Sequence, residues 1–187
     1  MQIRSCESRL LALSVLLALG APELSGQTQI ISLAAAAPST LTLAVQSGAV
    51  QTIVGVTDNA VNDFPSPVVL RTQWNLNPGQ TITLRLIAYV AVPAQALVLG
   101  STQIPSSRLL GRMTTGLPTT FTPISQNGIA GVGVAGGSLQ LFAVTVDGSN
   151  KNDTRTDNLD LQLNLVGFPT LPSGAYTGVL NIRAVTQ

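Results

Sequence analysis

Between positions 159 and 165, Leu159, Leu161, Leu163 and Leu165 alternate with Asp160, Gln162 and Asn164. A helix would spread those leucines around its whole circumference, whereas an extended strand gathers them on one face. The stretch therefore commits the chain to a sheet with one side on a core and the other in water. The same parity recurs elsewhere. Leu41, Leu43 and Val45 oppose Thr40, Thr42 and Ala44, and Ile82, Leu84, Leu86, Ala88 and Val90 oppose Thr81, Thr83 and Arg85.

Seventeen Gly and eleven Pro lie scattered between these apolar runs, the spacing of many short strands joined by turns. Strands are expected over 29–34, 40–46, 49–56, 68–74, 81–90, 138–146, 159–165 and from Tyr176 to the C-terminus. Residues 94–99 read either as a brief strand or as a helical turn, and 104–108 as an exposed linker. Residues 119–123 suit a short edge strand, since Pro123 cannot donate to a ladder. Pro78 and Gly79 suit a type II turn that would pair 68–74 with 81–90 as a hairpin. The expected fold is all-β, an immunoglobulin-like antiparallel β-sandwich; a closed barrel or jelly roll is the rival.

The first residues read as a helical secretory signal peptide. Arg4 and Arg9 precede an apolar run of about ten residues from Leu10 to Leu19, the length of an export signal and too short to span a bilayer comfortably. Residues 1–26 are assigned to this leader and 27–187 to a single β-sandwich domain, secreted or carried to the cell surface through the periplasm. Later apolar runs are broken by Gln73, Arg85 and Arg183, so no membrane span is expected after leader removal.

Cys6, Glu7 and Glu23 all fall in the leader, which leaves an exported chain without Cys, His or Glu. Such a chain can build no Ser-His-Asp triad, no Cys-His pair and no ordinary zinc site. Its carboxylates are Asp58, Asp63, Asp147, Asp153, Asp157 and Asp160. A pair of Asp residues is the minimum for glycoside hydrolysis, but these sit in polar stretches with no aromatic platform near them in sequence. The expectation is no enzyme and no cofactor. The glycine-rich segment 128–137 lacks the Lys-Ser/Thr of a phosphate loop and leads into a strand pattern, the wrong order for nucleotide binding. Net charge is +1 with scattered arginines, so nucleic acid is not an expected partner. Residues 147–158 form the most polar window and are expected to be a solvated loop. Asp147, Asn150, Asn152, Asp153 and Asp157 offer oxygens of the kind calcium takes, without EF-hand order. Trp74 is expected in the core.

The closing stretch carries the most specific pattern. Pro172, Ser173 and Gly174 make a turn, after which Tyr176, Leu180, Ile182 and Ala184 share one parity against Thr177, Asn181 and Arg183. This stretch resembles the C-terminal strand of bacterial pilin-like subunits of the chaperone-usher route, including secreted proteins of the spore-coat-U type. Gly174 stands fourteenth from the C-terminus, where that family has a glycine; the family's frequent penultimate Tyr is Thr186 here, and its common disulfide is missing.

The resemblance covers about sixteen residues. It implies a fimbrium-like or cell-adhesion subunit completed by β-strand addition, with Ile31 and Leu33 on the donor strand and Gly174, Tyr176, Leu180, Ile182 and Ala184 at the acceptor. The partners it implies are other copies or related subunits and a periplasmic chaperone. The leading functional expectation is thus a non-enzymatic exported structural or surface subunit. The alternative is a self-contained secreted module that binds a ligand or carbohydrate through the loops at 58–63 and 147–157.

Overall fold

The computed structural model describes residues 39–76 and 81–187. They contain the strands β1 (Thr40–Ser47), β2 (Val61–Asp63), β3 (Val68–Asn75), β4 (Ile82–Tyr89), β5 (Leu97–Leu99), β6 (Thr102–Ile104), β7 (Leu109–Met113), β8 (Thr122–Pro123), β9 (Ser138–Val146), β10 (Asn152–Asn164) and β11 (Asn181–Thr186). Helix among the described residues is limited to the 3-10 turns Pro93–Gln95 and Ser106–Arg108. The chain is all-β, as its alternation requires. The sequence-expected leader, the strand at 29–34 and the Pro78-Gly79 turn lie outside the described residues.

All ladders are antiparallel. A six-stranded sheet has the order β1-β3-β10-β7-β8, with β2 also on β10; a three-stranded sheet has the order β11-β4-β9; β5 and β6 form a separate hairpin. β2 and β3 occupy the same edge of β10 in succession. Between them the register with β10 slips at residues 64–67, where Pro65 and Pro67 have no N–H to give to the ladder.

One core joins the two main sheets. Leu70 and Trp74 from β3, Leu159 and Leu161 from β10, and Met113 from β7 pack with Leu84 and Leu86 from β4 and Leu139, Leu141 and Phe142 from β9. The leucine alternation of β10 is reproduced residue for residue: Leu159, Leu161, Leu163 and Leu165 are buried, while Asp160, Gln162 and Asn164 are not. Each fully buried leucine contributes on the order of 2 kcal/mol. Trp74 is buried, and its Nε1–H donates to the Asn150 carbonyl at 2.9 Å. A second cluster at the other end of β10 joins Ile104, Leu163 and Leu165 to Phe168, Leu171 and Tyr176.

Four local expectations are corrected. β3 and β4 do not form a hairpin. β3 pairs with β1 and β10, and β4 with β11 and β9, so the two strands face each other across the core. Alternation shows that a strand has an apolar face but not whether its chain neighbour lies beside it or opposite it. Residues 49–56 are not a strand: Gly48 turns the chain at φ 73° against the Pro67 carbonyl, and Val50 and Val54 are 87% and 91% exposed. The polar window is a loop only to 151, because β10 begins at Asn152 and its backbone ladder to β3 overrides the polarity of its side chains. Residues 104–108 are not simply exposed: Ser106 is buried and its hydroxyl donates to the Gly136 carbonyl at 2.9 Å.

The closing run also divides. Thr177 exchanges backbone hydrogen bonds with Val98 of β5 at 2.9 and 3.1 Å, and only from Asn181 does the chain join β4. Gly178 makes that approach possible, since a Cβ there would overlap the Ala96 carbonyl. Gly178→Ala is therefore expected to lower stability by about 1–3 kcal/mol, whereas Gly148→Ala, with open space around the new methyl, should stay within about 0.5 kcal/mol. Urea unfolding of the two variants checks the contrast.

Candidate strand-accepting edge

β11 lies at the margin of its sheet. Thr83 and Gln187 exchange backbone hydrogen bonds at 2.8 and 2.9 Å, which fixes the alternation along the β4–β11 ladder. Gln187, Val185, Arg183 and Asn181 direct their amides to β4, so Ile182, Ala184 and Thr186 direct theirs outward. Among the described residues nothing pairs with those outward amides. On this parity Leu180, Ile182 and Ala184 pack on the main core but are only half-buried, while Thr186 is exposed.

β1 is the margin of the six-stranded sheet on the same flank. Leu41 and Leu43 also reach the main core while staying half-buried, and Val45 is exposed. Two unpaired edges thus border one strip of incompletely covered core. The inward leucines of β10, a strand paired along both edges, show what these side chains lack, an apolar neighbour on their outer side.

The opposite flank is finished differently. β8 is two residues long and ends in Pro123. Along β9, Ser138 exchanges backbone bonds with Gln126 at 2.7 and 3.1 Å, the Gln126 side-chain oxygen accepts from the Gln140 N–H at 2.9 Å, and the Asn150 side-chain amide donates to the Thr145 carbonyl at 2.8 Å. Short length, proline and side-chain caps are the usual protections of a sheet edge. Among the described residues β1 and β11 carry no proline and no side-chain cap; β1 has an irregular register between Val45 and Ser47, and β11 the outward charge of Arg183.

The candidate residues named from the sequence separate into groups. Leu180, Ile182 and Ala184 belong to the open flank. Tyr176 lies in the second cluster, and its hydroxyl donates to the Pro172 carbonyl at 3.1 Å. Gly174 adopts φ 155°, and a Cβ there would come within 2.5 Å of Leu99 Cδ2, so it shapes the turn against β5 and does not line the edge. Ile31 and Leu33 lie outside the described residues. Sequence reasoning missed Leu41 and Leu43 as part of this flank, although their alternation was visible, and missed Gln126 and Asn150, whose edge-capping role leaves no pattern in sequence.

The carboxylates serve local structure. Asp58 accepts from the Leu171 N–H, Asp63 from Gln162, Asp153 from the Thr154 N–H, and Asp160 from Arg112 at 2.7 Å. Asp157 is fully buried and takes Arg155 Nε on both oxygens at 2.7 Å, together with the Thr115 hydroxyl at 2.6 Å. Asp157 is therefore turned to an ion pair with its own strand and not to the 147–151 loop, and the described residues contain no cluster of three metal-ligating acid, His or Cys side chains. Asp147 accepts from the Ser149 hydroxyl at 2.6 Å and from the Ser149 N–H at 2.7 Å, bonds that hold its carboxyl below the usual carboxylate range.

Three of the four phenylalanines lie under an arginine, and Phe64 packs against the two hydrophobic clusters. Guanidinium groups of Arg108, Arg112 and Arg155 lie 5.3, 4.5 and 4.7 Å from the ring centres of Phe168, Phe121 and Phe142. These cation–π contacts occupy one ring face each, the surface on which a sugar would stack.

Comparison with protein-family models, with curated proteins and with solved structures found no match for this chain.

Two outcomes follow from this geometry. Gln126→Ala should cost about 1 kcal/mol and raise the hydrogen-exchange rate of the Gln140 amide; an unchanged rate would deny the capping role. Because the Asp147 carboxyl is depressed, its hydrogen bonds steady the loop above the ordinary carboxylate range and are lost as pH falls through its lowered pKa. Ser149→Ala should move the Asp147 titration, followed by NMR, upward toward an ordinary aspartate.

Proposed function

We propose that this protein is a non-enzymatic, exported structural or surface subunit, built as an immunoglobulin-like β-sandwich whose β1–β11 flank is completed by an added strand in the manner of a pilin. The observation that carries the reading is the edge of β11, where Ile182, Ala184 and Thr186 present unpaired amides outward and the apolar side chains beside them are incompletely covered.

An unequal strand count supports it. Six strands face three across one core, and a fourth strand bonded to the outer edge of β11 would cover the outer sides of Ile182 and Ala184. Main-chain bonds would supply affinity and alternate side chains would fill the strip. In this reading Ile31 and Leu33 belong to the donor strand, supplied in an assembly by a neighbouring copy or related subunit, with a periplasmic chaperone guarding the edge before assembly. The leader at 1–26 supports export, and the structural engagement of each of the six aspartates supports a role without catalysis.

Removing residues 27–34 is the first test. The shortened chain should lose higher oligomers on size exclusion and melt at lower temperature, and a peptide of residues 27–36 should restore the melting temperature. Ala184→Pro is the second. It removes an N–H that points away from β4, so the β4–β11 ladder keeps its bonds, while addition at the edge is blocked. Assembly unchanged in both variants, with β-sheet content retained by circular dichroism, would overturn the proposal.

A further inference from the structure

The outer edge of β11 is complementary to itself. Ile182, Ala184 and Thr186 direct their backbone groups away from β4. Two antiparallel copies of β11 can therefore bond only by setting these positions against one another. With Ala184 opposite Ala184 of a second copy, 182 faces 186, 184 faces 184 and 186 faces 182, and each of these facing pairs exchanges two hydrogen bonds. Every other register within β11 does worse. Centring the join on Arg183 keeps two facing pairs and sets two guanidinium groups directly opposite, a destabilising arrangement. Centring it on Val185 also keeps two, and centring it on Ile182 or Thr186 keeps one.

Both faces of the join accept this register. A two-fold axis perpendicular to the sheet leaves the core sides of the two copies on the same face, so the side chains meeting at the axis are two alanines, which are small. On the outer face Arg183 lies opposite Val185 of the second copy, where its aliphatic stem can cover the half-buried valine while the guanidinium stays in water. So short an edge buries less than the roughly 1,200 Å² at which standard interfaces begin. The pairing is therefore reversible.

Resting on the reading of β11 as an acceptor, we infer that the partner holding this edge before a donor strand arrives is β11 of a second copy, paired antiparallel about a two-fold axis at Ala184. The two three-stranded sheets become one, in the order β9-β4-β11-β11-β4-β9, and both edges close in one step. An isologous contact of this kind ends at two copies, so it protects the edge without starting a fibre. A donor strand needs the same amides and must displace the second copy. The dimer and the strand-added assembly exclude each other at β11.

Single cysteines test the register, because Cys6 is the chain's only cysteine and Cys6→Ser removes it. In the full-length chain, in a glutathione redox buffer, Ala184→Cys should give a disulfide-linked dimer, since facing bonded residues have Cα atoms about 5.5 Å apart, within the span of a disulfide. Ile182→Cys and Arg183→Cys should each stay monomeric on non-reducing gels, whereas Arg183→Cys mixed with Val185→Cys should link. Sedimentation should show a concentration-dependent dimer that Ala184→Pro abolishes with β-sheet content retained. Linking of Ile182→Cys or Arg183→Cys in preference to Ala184→Cys would overturn the register. A chain that sediments as a monomer at every concentration and links at none of these positions would overturn the dimer. If deleting residues 27–34 then still lowers higher assembly, β11 remains an acceptor; higher assembly unmoved by that deletion and by Ala184→Pro would overturn the acceptor reading as well.

Discussion

The ladder of β10 with its neighbours on both edges is the constraint from which the rest of the structure follows. Its leucines turn inward, its first half pairs with β3 and its second half with β2 on one edge and β7 on the other. Antiparallel pairing satisfies the backbone, and the inward stripe places Leu159 and Leu161 against Leu84, Leu86 and Leu139 of the second sheet. A one-residue slip would turn every leucine to water and bring Asp160 and Gln162 inside. Since the slip is so costly, this strand fixes the register of the strands bonded to it.

Charge is scarce in this chain, so its edges need other protection. On one flank that protection is local and specific: a proline in β8, and two side-chain amides that take the place of a missing strand along β9. On the other flank the two margins of the sheets face the same strip of core without such devices. The asymmetry gives the strand-addition proposal its physical content, because only one flank would have to release bonds before a strand could join it. The pairing of buried Asp157 with partly exposed Arg155 and the guanidinium groups over three phenylalanines show where the few charges are spent, on holding loops and strands to the core.

Much of the candidate site was legible in part. The inward parity of Leu180, Ile182 and Ala184 was readable because alternation is local. The role of Tyr176 was not, because the chain between it and Leu180 leaves one set of partners for another at Gly178, a change forced by the nearness of Ala96. Val50, Val54 and Val56 were misread as a strand because valine alternates there without any core to receive it. Asp157 was misread as loop because its burial depends on Arg155 beside it and Thr115 across the sheet.

The sequence by itself determined that this chain is β, which residues of its strongest strands face inward, and that residues 27–187 contain no Cys, His or Glu. These are consequences of side-chain parity and residue inventory, both of which are local. The tertiary structure alone decided that β3 and β4 face each other, that β11 ends its sheet beside the margin of β1, and which edge amides are capped. Those outcomes depend on hydrogen bonds between residues far apart in the chain, and a strand's own pattern says which face is buried but not which strand will lie along its edge.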